Sequence, residues 1–439
     1  MKHLLAILLA LLCLPLAQSQ QTQPPNFLFI ILDDVSMEDL ETLQLAQLGT
    51  YAPFGRQYTR AYGCPICSPS RYSTQFGRYP HREFIGGALT VANGNDKGAP
   101  TTNLSLAETL ETCGYSTALF GKWHVNGSAL MLANESSRIS GGFQTHRAGI
   151  VTNIDIVAGG HTSWDRIDDG KRTIETTYTT RAITDEFLVW WGATQGAKFA
   201  TVAFQAPHEP FDAPPASMLP PGYVVGGTAR KKYEAAIVAI DGVLEEIVQV
   251  LDLSNTYVFF MADNGTPHQV PPPNPDSPGY KLTMYEGGIN VPFIVWGVDT
   301  IPGIDSSLIQ LMDLPATVLD LAGIIPVTGF EDSISFAPTR QGMPGTRQFA
   351  FLTRFTPNNG VAASLTLDYF ALVRADGLKL WSQDGVEKLF NLAVDPGETT
   401  NQLLNPTYAA DLAALRLIVF GDPLAQPPTF GEYGPLWPY

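Results

Sequence analysis

The segment Cys64-Pro65-Ile66-Cys67-Ser68-Pro69-Ser70-Arg71 carries two thiols and, four residues after the second, a guanidinium. By their chemistry Cys64 and Cys67 suit a redox pair of the Cys-x-x-Cys type. Such a pair wants a thioredoxin-like domain around it, and no compact pattern of that kind surrounds it. A zinc site would need two more ligands and lacks them. A structural disulfide through Cys64 stays open.

The other reactive residues stand where apolar runs stop. The run at 26–32 ends at Asp33-Asp34, and the run at 256–262 ends at Asp263-Asn264. These four side chains supply only oxygen ligands, which suits a hard cation such as Ca²⁺ or Mg²⁺. Either pair alone is equally a turn or a helix cap, because Asp and Asn favour both. The run at 115–120 leads into Gly121-Lys122-Trp123-His124, and the run at 198–205 into Pro207-His208-Glu209-Pro210. Lys122, His124, His208 and Lys281 form a cationic or titratable set fit to bind an anionic ester and exchange protons with it. His81, His146, His161 and His268 are read as ordinary histidines, with His268 lying close to Asp263.

Placing those residues together requires a particular scaffold. Short continuous apolar runs at 26–32, 115–120, 198–205, 256–262 and 291–296 suit strands buried on both faces. Between them, Tyr233, Ile237, Ile240, Leu244, Ile247 and Leu251 recur at helical spacing over 231–251. Residues 308–322 form a further helix, stopped by Gly323. Strands alternating with helices give an α/β fold with a mostly parallel sheet, whose ligands bind at the carboxyl ends of its strands. The stretches 212–222 and 267–279 are Pro-rich and read as irregular loops. After about residue 339 the pattern changes to short strands at 349–354, 364–367, 370–374 and 378–381, with a turn at Asp376-Gly377 and a helix at 408–419. The division expected is a catalytic α/β domain over 20–338 and a smaller α+β domain, with an antiparallel sheet, over 339–439.

Residues 1–19 read as a signal peptide: a polar start at Lys2-His3, an apolar stretch too short to span a bilayer, and small residues at Ala17 and Ser19. Export without stable membrane insertion follows, to the periplasm or outside the cell. Cleavage leaves Cys64, Cys67 and Cys113, an odd set, which a Cys64–Cys113 disulfide with a separate role for Cys67 would resolve. With 45% hydrophobic and 15% charged residues, the 439-residue chain can bury a sizeable core. A net charge of −16 and no dense basic run argue against nucleic acid as a partner. Sequons stand at Asn103, Asn126 and Asn134, and Asn264 also fits the pattern.

Cys67-Ser68-Pro69-Ser70-Arg71 resembles the Cys-x-Pro-x-Arg signature of the type I, arylsulfatase-like sulfatases of the alkaline phosphatase superfamily. The likeness continues, in order, through Pro25 to Asp34, Gly114 to His124, Ala206 to Pro210, Ala262 to Gly265, Lys281 to Gly288, Asp313 to Thr317 and Leu389 to Glu398. It departs at Phe76, where Thr is usual, and at Asn290, where Arg is common. The resemblance implies an alkaline phosphatase-like sheet sandwiched by helices, and a Cys67 oxidised to formylglycine (3-oxoalanine) by a formylglycine-generating or anaerobic maturation enzyme. It implies Asp33, Asp34, Asp263, Asn264 and modified Cys67 as ligands of a divalent metal, Ca²⁺ first and Mg²⁺ second. Arg71 and Lys122 would orient the modified residue, and His124 would assist proton removal. His208 and Lys281 would bind the sulfate, one of them protonating the leaving oxygen. The substrate expected is an aryl sulfate or a sulfated carbohydrate. Two other readings compete: a phosphomonoester or phosphonate hydrolase on the same scaffold, and a non-catalytic binder of sulfated glycans.

Overall fold

The computed structural model describes residues 23–89, 98–100, 102–126, 141–154, 159–272, 279–326, 328–355 and 369–420. The signal peptide, Asn134 and the strand expected at 364–367 lie outside these residues.

Sixteen strands are described: β1 (Asn26–Leu32), β2 (Arg56–Tyr58), β3 (Ala61–Tyr62), β4 (Ser116–Lys122), β5 (Thr145–Ile150), β6 (Trp164–Asp168), β7 (Lys171–Glu175), β8 (Lys198–Ala203), β9 (Thr256–Ala262), β10 (Phe293–Gly297), β11 (Gly303–Asp305), β12 (Ile309–Gln310), β13 (Phe349–Arg354), β14 (Tyr369–Arg374), β15 (Leu378–Gln383) and β16 (Val386–Asn391). Ten form one sheet in the order β11-β2-β10-β9-β1-β8-β4-β5-β6-β7. Its centre, β9-β1-β8-β4-β5, is parallel. Every residue of β1 and β9 is buried, as expected of strands covered on both faces. Neighbouring residues of β9 face opposite layers: Phe259 meets Phe336 edge-on, while Phe260 meets Trp296. On β4, Phe120 packs against Phe187 and Trp190 of the helix Thr179–Ala193.

β10 runs antiparallel to β9, so the apolar run at 291–296 is not a further parallel strand. Burial on both faces makes the run apolar whatever its direction. The helix expected at 308–322 is shorter, Leu314–Ala322. Ahead of it, β12 pairs with β3 and Leu311–Asp313 makes a tight turn. Asp313 causes the break: its carboxylate accepts from Gln310 N at 2.9 Å and from Arg347 Nε at 2.6 Å. Gly323 then closes the helix at φ 68°, in the left-handed region that glycine tolerates.

A separate four-stranded antiparallel sheet, β13-β14-β15-β16, carries the helix Ala409–Phe420. Its two faces are both buried. Phe351, Phe370 and Leu372 pack with Leu415 and Phe420, and Ala350, Leu352, Ala371 and Val373 pack with Tyr62, Met284 and Ile289. Lys379 is fully buried on β15 and bonds Glu286 and Glu398, each at 2.8 Å, which ties the small sheet to the large one.

Candidate active site

Strand register delivers the carboxylates. Leu32 pairs with Ala262 at the ends of adjacent parallel strands, so Asp33-Asp34 and Asp263-Asn264 emerge side by side. Asp263 N–H donates to the Leu32 carbonyl at 3.1 Å. Asp34 holds φ 67°, which turns its peptide so that its N–H donates to Asp263 Oδ1 at 3.1 Å. A non-glycine residue pays for that conformation, and the surroundings hold it there: the Tyr233 hydroxyl lies 2.7 Å from the Asp34 carbonyl and 2.8 Å from Asp39 Oδ2. All four metal candidates are buried, at 1% exposure or less.

Cys67 opens the helix Cys67–Phe76, in which every residue is buried. Arg71 lies one turn on, hence on the same face. It donates from Nε to Asp263 Oδ2 at 2.7 Å and from Nη1 to the Lys122 carbonyl at 3.0 Å. The chain reaches the helix by passing close to the metal candidates at Gly63, where a Cβ would stand 2.5 Å from the Asp263 carbonyl oxygen. Lys122 ends β4 and contacts both Asp33 and, at 2.6 Å, Asn153 Oδ1. Lys281 reaches Asp34 at 2.7 Å, and His208 Nε2 lies 3.7 Å from the same carboxylate. The structure thus brings every residue singled out above, Cys67, Arg71, Lys122, His124, His208, Lys281, Asp33, Asp34, Asp263 and Asn264, to one end of the sheet.

The histidine tautomers follow from their partners. His124 Nε2 is 3.2 Å from the Leu89 carbonyl, which only accepts, so Nε2 carries the proton. Nδ1 therefore presents its lone pair to Cys67 Sγ, 3.2 Å away. Burial, with Lys122 and Arg71 adding repulsion, pushes the His124 pKa well below its ordinary value, so this lone pair stays unprotonated. His208 is likewise pushed down by burial, against the pull of Asp34, and its Nδ1 donates to the Glu209 carbonyl at 2.8 Å. Burial works to lower Lys281, but Asp34 overrides it and holds the ammonium charged. Burial raises the Cys67 thiol despite Lys122 and Lys281. An unmodified Cys67 is therefore no activated thiolate, which weighs against redox or thiol chemistry at this position.

A divalent cation fits the donors present. Among the described residues, Asp33 Oδ1 and Asn264 Oδ1 are buried and have no hydrogen-bond partner, and hard cations take oxygen ligands of this kind. Asp33, Asp34 and His208 also bring one ligand atom each within 4.8 Å of one another. That trio omits Asp263, whose two oxygens already accept from Asp34 N–H and Arg71. The two unpartnered oxygens are the better guide, because a buried polar atom left unpaired is costly.

Three features were not anticipated. Asn153 follows β5, a strand whose sequence THRAGI shows no clean alternation. The Tyr233–Asp39 support of Asp34 left a legible trace in Ser36 and Asp39, which form a reciprocal helix cap. The Cys64–Cys113 disulfide does not form: Cys64 is a free thiol packed among Tyr62, Met284 and Trp381, its pKa pushed up to about 12 by burial. Cys113 lies elsewhere, at the end of the helix Leu106–Thr112. At the two departures, Phe76 stacks on Tyr72 at 4.8 Å, and Asn290 bonds the Thr59 carbonyl and Glu286.

The family model described as Sulfatase matches residues 25–324. The chain belongs to the sulfatase family. Its members are sulfuric ester hydrolases that use a formylglycine and a divalent metal, and this sulfatase hydrolyses a sulfate ester. It is 27% identical over 371 residues to the N-acetylgalactosamine-6-sulfatase of Mus musculus, covering 76% of this chain and 69% of that protein. The crystal structure of Ps i-CgsB in complex with k-i-k-neocarrahexaose superimposes with a TM-score of 0.75 at 21% identity, over 93% of this chain and 95% of that one. A structure solved in complex with its substrate D-glucosamine-2-N,6-O-disulfate gives a TM-score of 0.69 at 17% identity, over 90% and 96%. These likenesses show an alkaline phosphatase-like sulfatase fold.

Proposed function

We propose that this sulfatase hydrolyses the sulfate ester of a sulfated carbohydrate, with Cys67 matured to formylglycine and Ca²⁺ held by Asp33, Asp34, Asp263, Asn264 and the modified residue. The observation that carries the reading is Cys67 at a buried helix start, against a base on one side and two carboxylate-bearing strand ends on the other. An aldehyde at position 67 would supply a hydrated, two-hydroxyl carbon, one hydroxyl attacking sulfur and the second losing its proton as sulfate leaves and the aldehyde re-forms. The cation would polarise the sulfate oxygens.

The protein's own groups do the rest. Arg71, fixed by Asp263 and the Lys122 carbonyl, and Lys122, fixed by Asp33 and Asn153, orient residue 67. His124 Nδ1 takes the proton given up during sulfate release, and its Nε2–H stays on the Leu89 carbonyl. Lys281 and His208 bind the sulfate, and one of them protonates the leaving alcohol. Arg71, Lys122 and Lys281 are in place before charge develops, so they stabilise it without reorganising. The sulfated-carbohydrate reading draws support from the sugar ligands of the structural neighbours. Residues 1–19 would direct export, and 339–439 would form the smaller domain. Among the described residues no helix is long and apolar enough to cross a membrane.

The test is mass spectrometry of the tryptic peptide 61–71 from protein made with its maturation machinery, alongside sulfate release. A cysteine-to-formylglycine mass change at Cys67 with turnover of a sulfate ester is expected. A thiol throughout, with binding but no turnover, would move the reading to a glycan binder. A preference for phosphate or phosphonate esters would move it to those hydrolases.

A further inference from the structure

We infer that Glu209, His268, Gln269 and Tyr280 form a sugar-ring subsite at the mouth of the site, selecting a pyranose that carries a single sulfate. The inference rests on the sulfatase reading above.

The opening of the site is visible in side-chain exposure. Asp33, Asp34, Arg71, Lys122 and Asp263 are exposed by 4% or less, whereas His208 reaches 7% and Lys281 13%. An ester whose sulfate is held inside therefore projects its organic part past His208 and Lys281. Two stretches border that exit, Glu209 beside His208, and residues 266–269 with 279–281 around Lys281.

The second is closed on itself, and Gln269 joins it to the first. Lys281 N–H donates to the Thr266 carbonyl at 2.8 Å. Two residues past Thr266, the His268 ring lies 5.8 Å from the Tyr280 ring, tilted by 45°. Gln269 Nε2 lies 3.4 Å from Glu209 Oε2, which closes the rim on the His208 side. Tyr280 is locked at its backbone, because Thr283 Oγ1 accepts from its N–H at 3.1 Å and donates to its carbonyl at 2.7 Å. Yet its side chain is 42% exposed, and His268 and Gln269 are exposed as well.

Held aromatic rings facing solvent beside a carboxylate–amide pair match the two faces of a sugar. The rings offer an apolar surface to its C–H groups, and Glu209 and Gln269 offer an acceptor and a donor to its hydroxyls. Glu209 also sets the charge. A carboxylate at the rim of a chain carrying −16 opposes a second sulfate there.

The experiment compares mature, full-length wild type with Tyr280→Ala, Tyr280→Phe, His268→Ala and Glu209→Gln. Substrates are galactose 6-sulfate, galactose 4-sulfate, glucosamine 6-sulfate, D-glucosamine-2-N,6-O-disulfate and 4-nitrophenyl sulfate, with sulfate release as the readout. For Tyr280→Ala and His268→Ala, the ratio of kcat/KM on the best monosulfated sugar to that on 4-nitrophenyl sulfate should fall roughly 3- to 10-fold, mainly through KM. Tyr280→Phe should keep most of the ratio, and Glu209→Gln should raise relative turnover of the disulfated sugar. An unchanged ratio in both alanine variants overturns the subsite. So does a wild type that cleaves 4-nitrophenyl sulfate but none of the sugars, and that result leaves the sulfatase reading standing. Failure of mature wild type on every ester overturns both.

Discussion

Replacing His124 with alanine separates the base from the scaffold around it. General-base catalysis is worth about 10²- to 10⁴-fold, or about 3–5 kcal/mol of barrier. The geometry assigns that contribution to sulfate release, because Nδ1 faces Cys67 Sγ at 3.2 Å and not the alcohol side, where His208 and Lys281 stand. His124→Ala should therefore lower kcat on 4-nitrophenyl sulfate by about 10²- to 10⁴-fold, with KM falling alongside it, because a slowed second step leaves kcat/KM nearly unchanged. The first turnover should survive better than the second. Stopped-flow traces should show a burst of nitrophenol equal to the enzyme concentration, followed by slow steady turnover. Folding is affected too, since the Leu89 carbonyl loses its donor, at about 1–3 kcal/mol, and calorimetry run in parallel accounts for that part. A folded variant whose kcat stays within about threefold of wild type, set against the loss expected of a general base, would refute the assignment. So would a large fall in kcat with no burst.

The other expectations are independent of that step. Chelation should lower the melting temperature and added Ca²⁺ restore it, by about 2.7 kcal/mol at a hundredfold excess over Kd; Asn264→Ala should shift the calorimetric Ca²⁺ titration to weaker binding. Comparing His208→Ala with Lys281→Ala on aryl sulfates of graded leaving-group pKa identifies the acid, since the variant lacking it loses most on the poorest leaving groups. Lys379→Met should cost about 3–5 kcal/mol in denaturant unfolding, because Glu398 is left buried and Glu286 half-buried without their cation. Gly63→Ala should impair maturation or Ca²⁺ binding, because its methyl group would press on the Asp263 carbonyl.

The parts of the fold that were legible in the sequence are those where one force acts alone. β1 and β9 fall where the apolar runs stand because burial on both faces leaves no other pattern. The helix Ala229–Gln249 shows the same economy, with Tyr233, Ile237, Ile240, Leu244 and Ile247 buried at helical spacing. Strand direction was not legible, since the antiparallel β10 is as apolar as its parallel neighbour. Nor were β6 and β7, which carry charged residues near the edge of the sheet, where, among the described residues, β7 has one partner strand and β6 meets β5 at a single residue pair. β16 was missed for a related reason: VEKLFN is exposed at its start and buried only near its end.

The residues proposed for the site drew notice in the sequence because their chemistry and their position at the ends of apolar runs coincide. An Asp at the end of a buried strand is an ordinary turn residue, but two such ends offer one set of oxygen donors once the strands are neighbours. That adjacency is a matter of register, Leu32 against Ala262, which no local pattern encodes. The same holds for His124. Its neighbours in sequence are an apolar strand and a Trp, and its role comes from two contacts, to residues 57 and 35 positions away. What the sequence could not carry was the support beneath the site: Asn153 behind Lys122, Tyr233 beneath Asp34, and a Cys64 that packs as a free thiol where a disulfide had stayed open. Each of these acts through a partner distant in the chain, and each is an ordinary residue until that partner is known. Specificity belongs to the same class. Exposed rings such as His268 and Tyr280 carry no signal in the sequence until they are found beside each other, with Gln269 against Glu209.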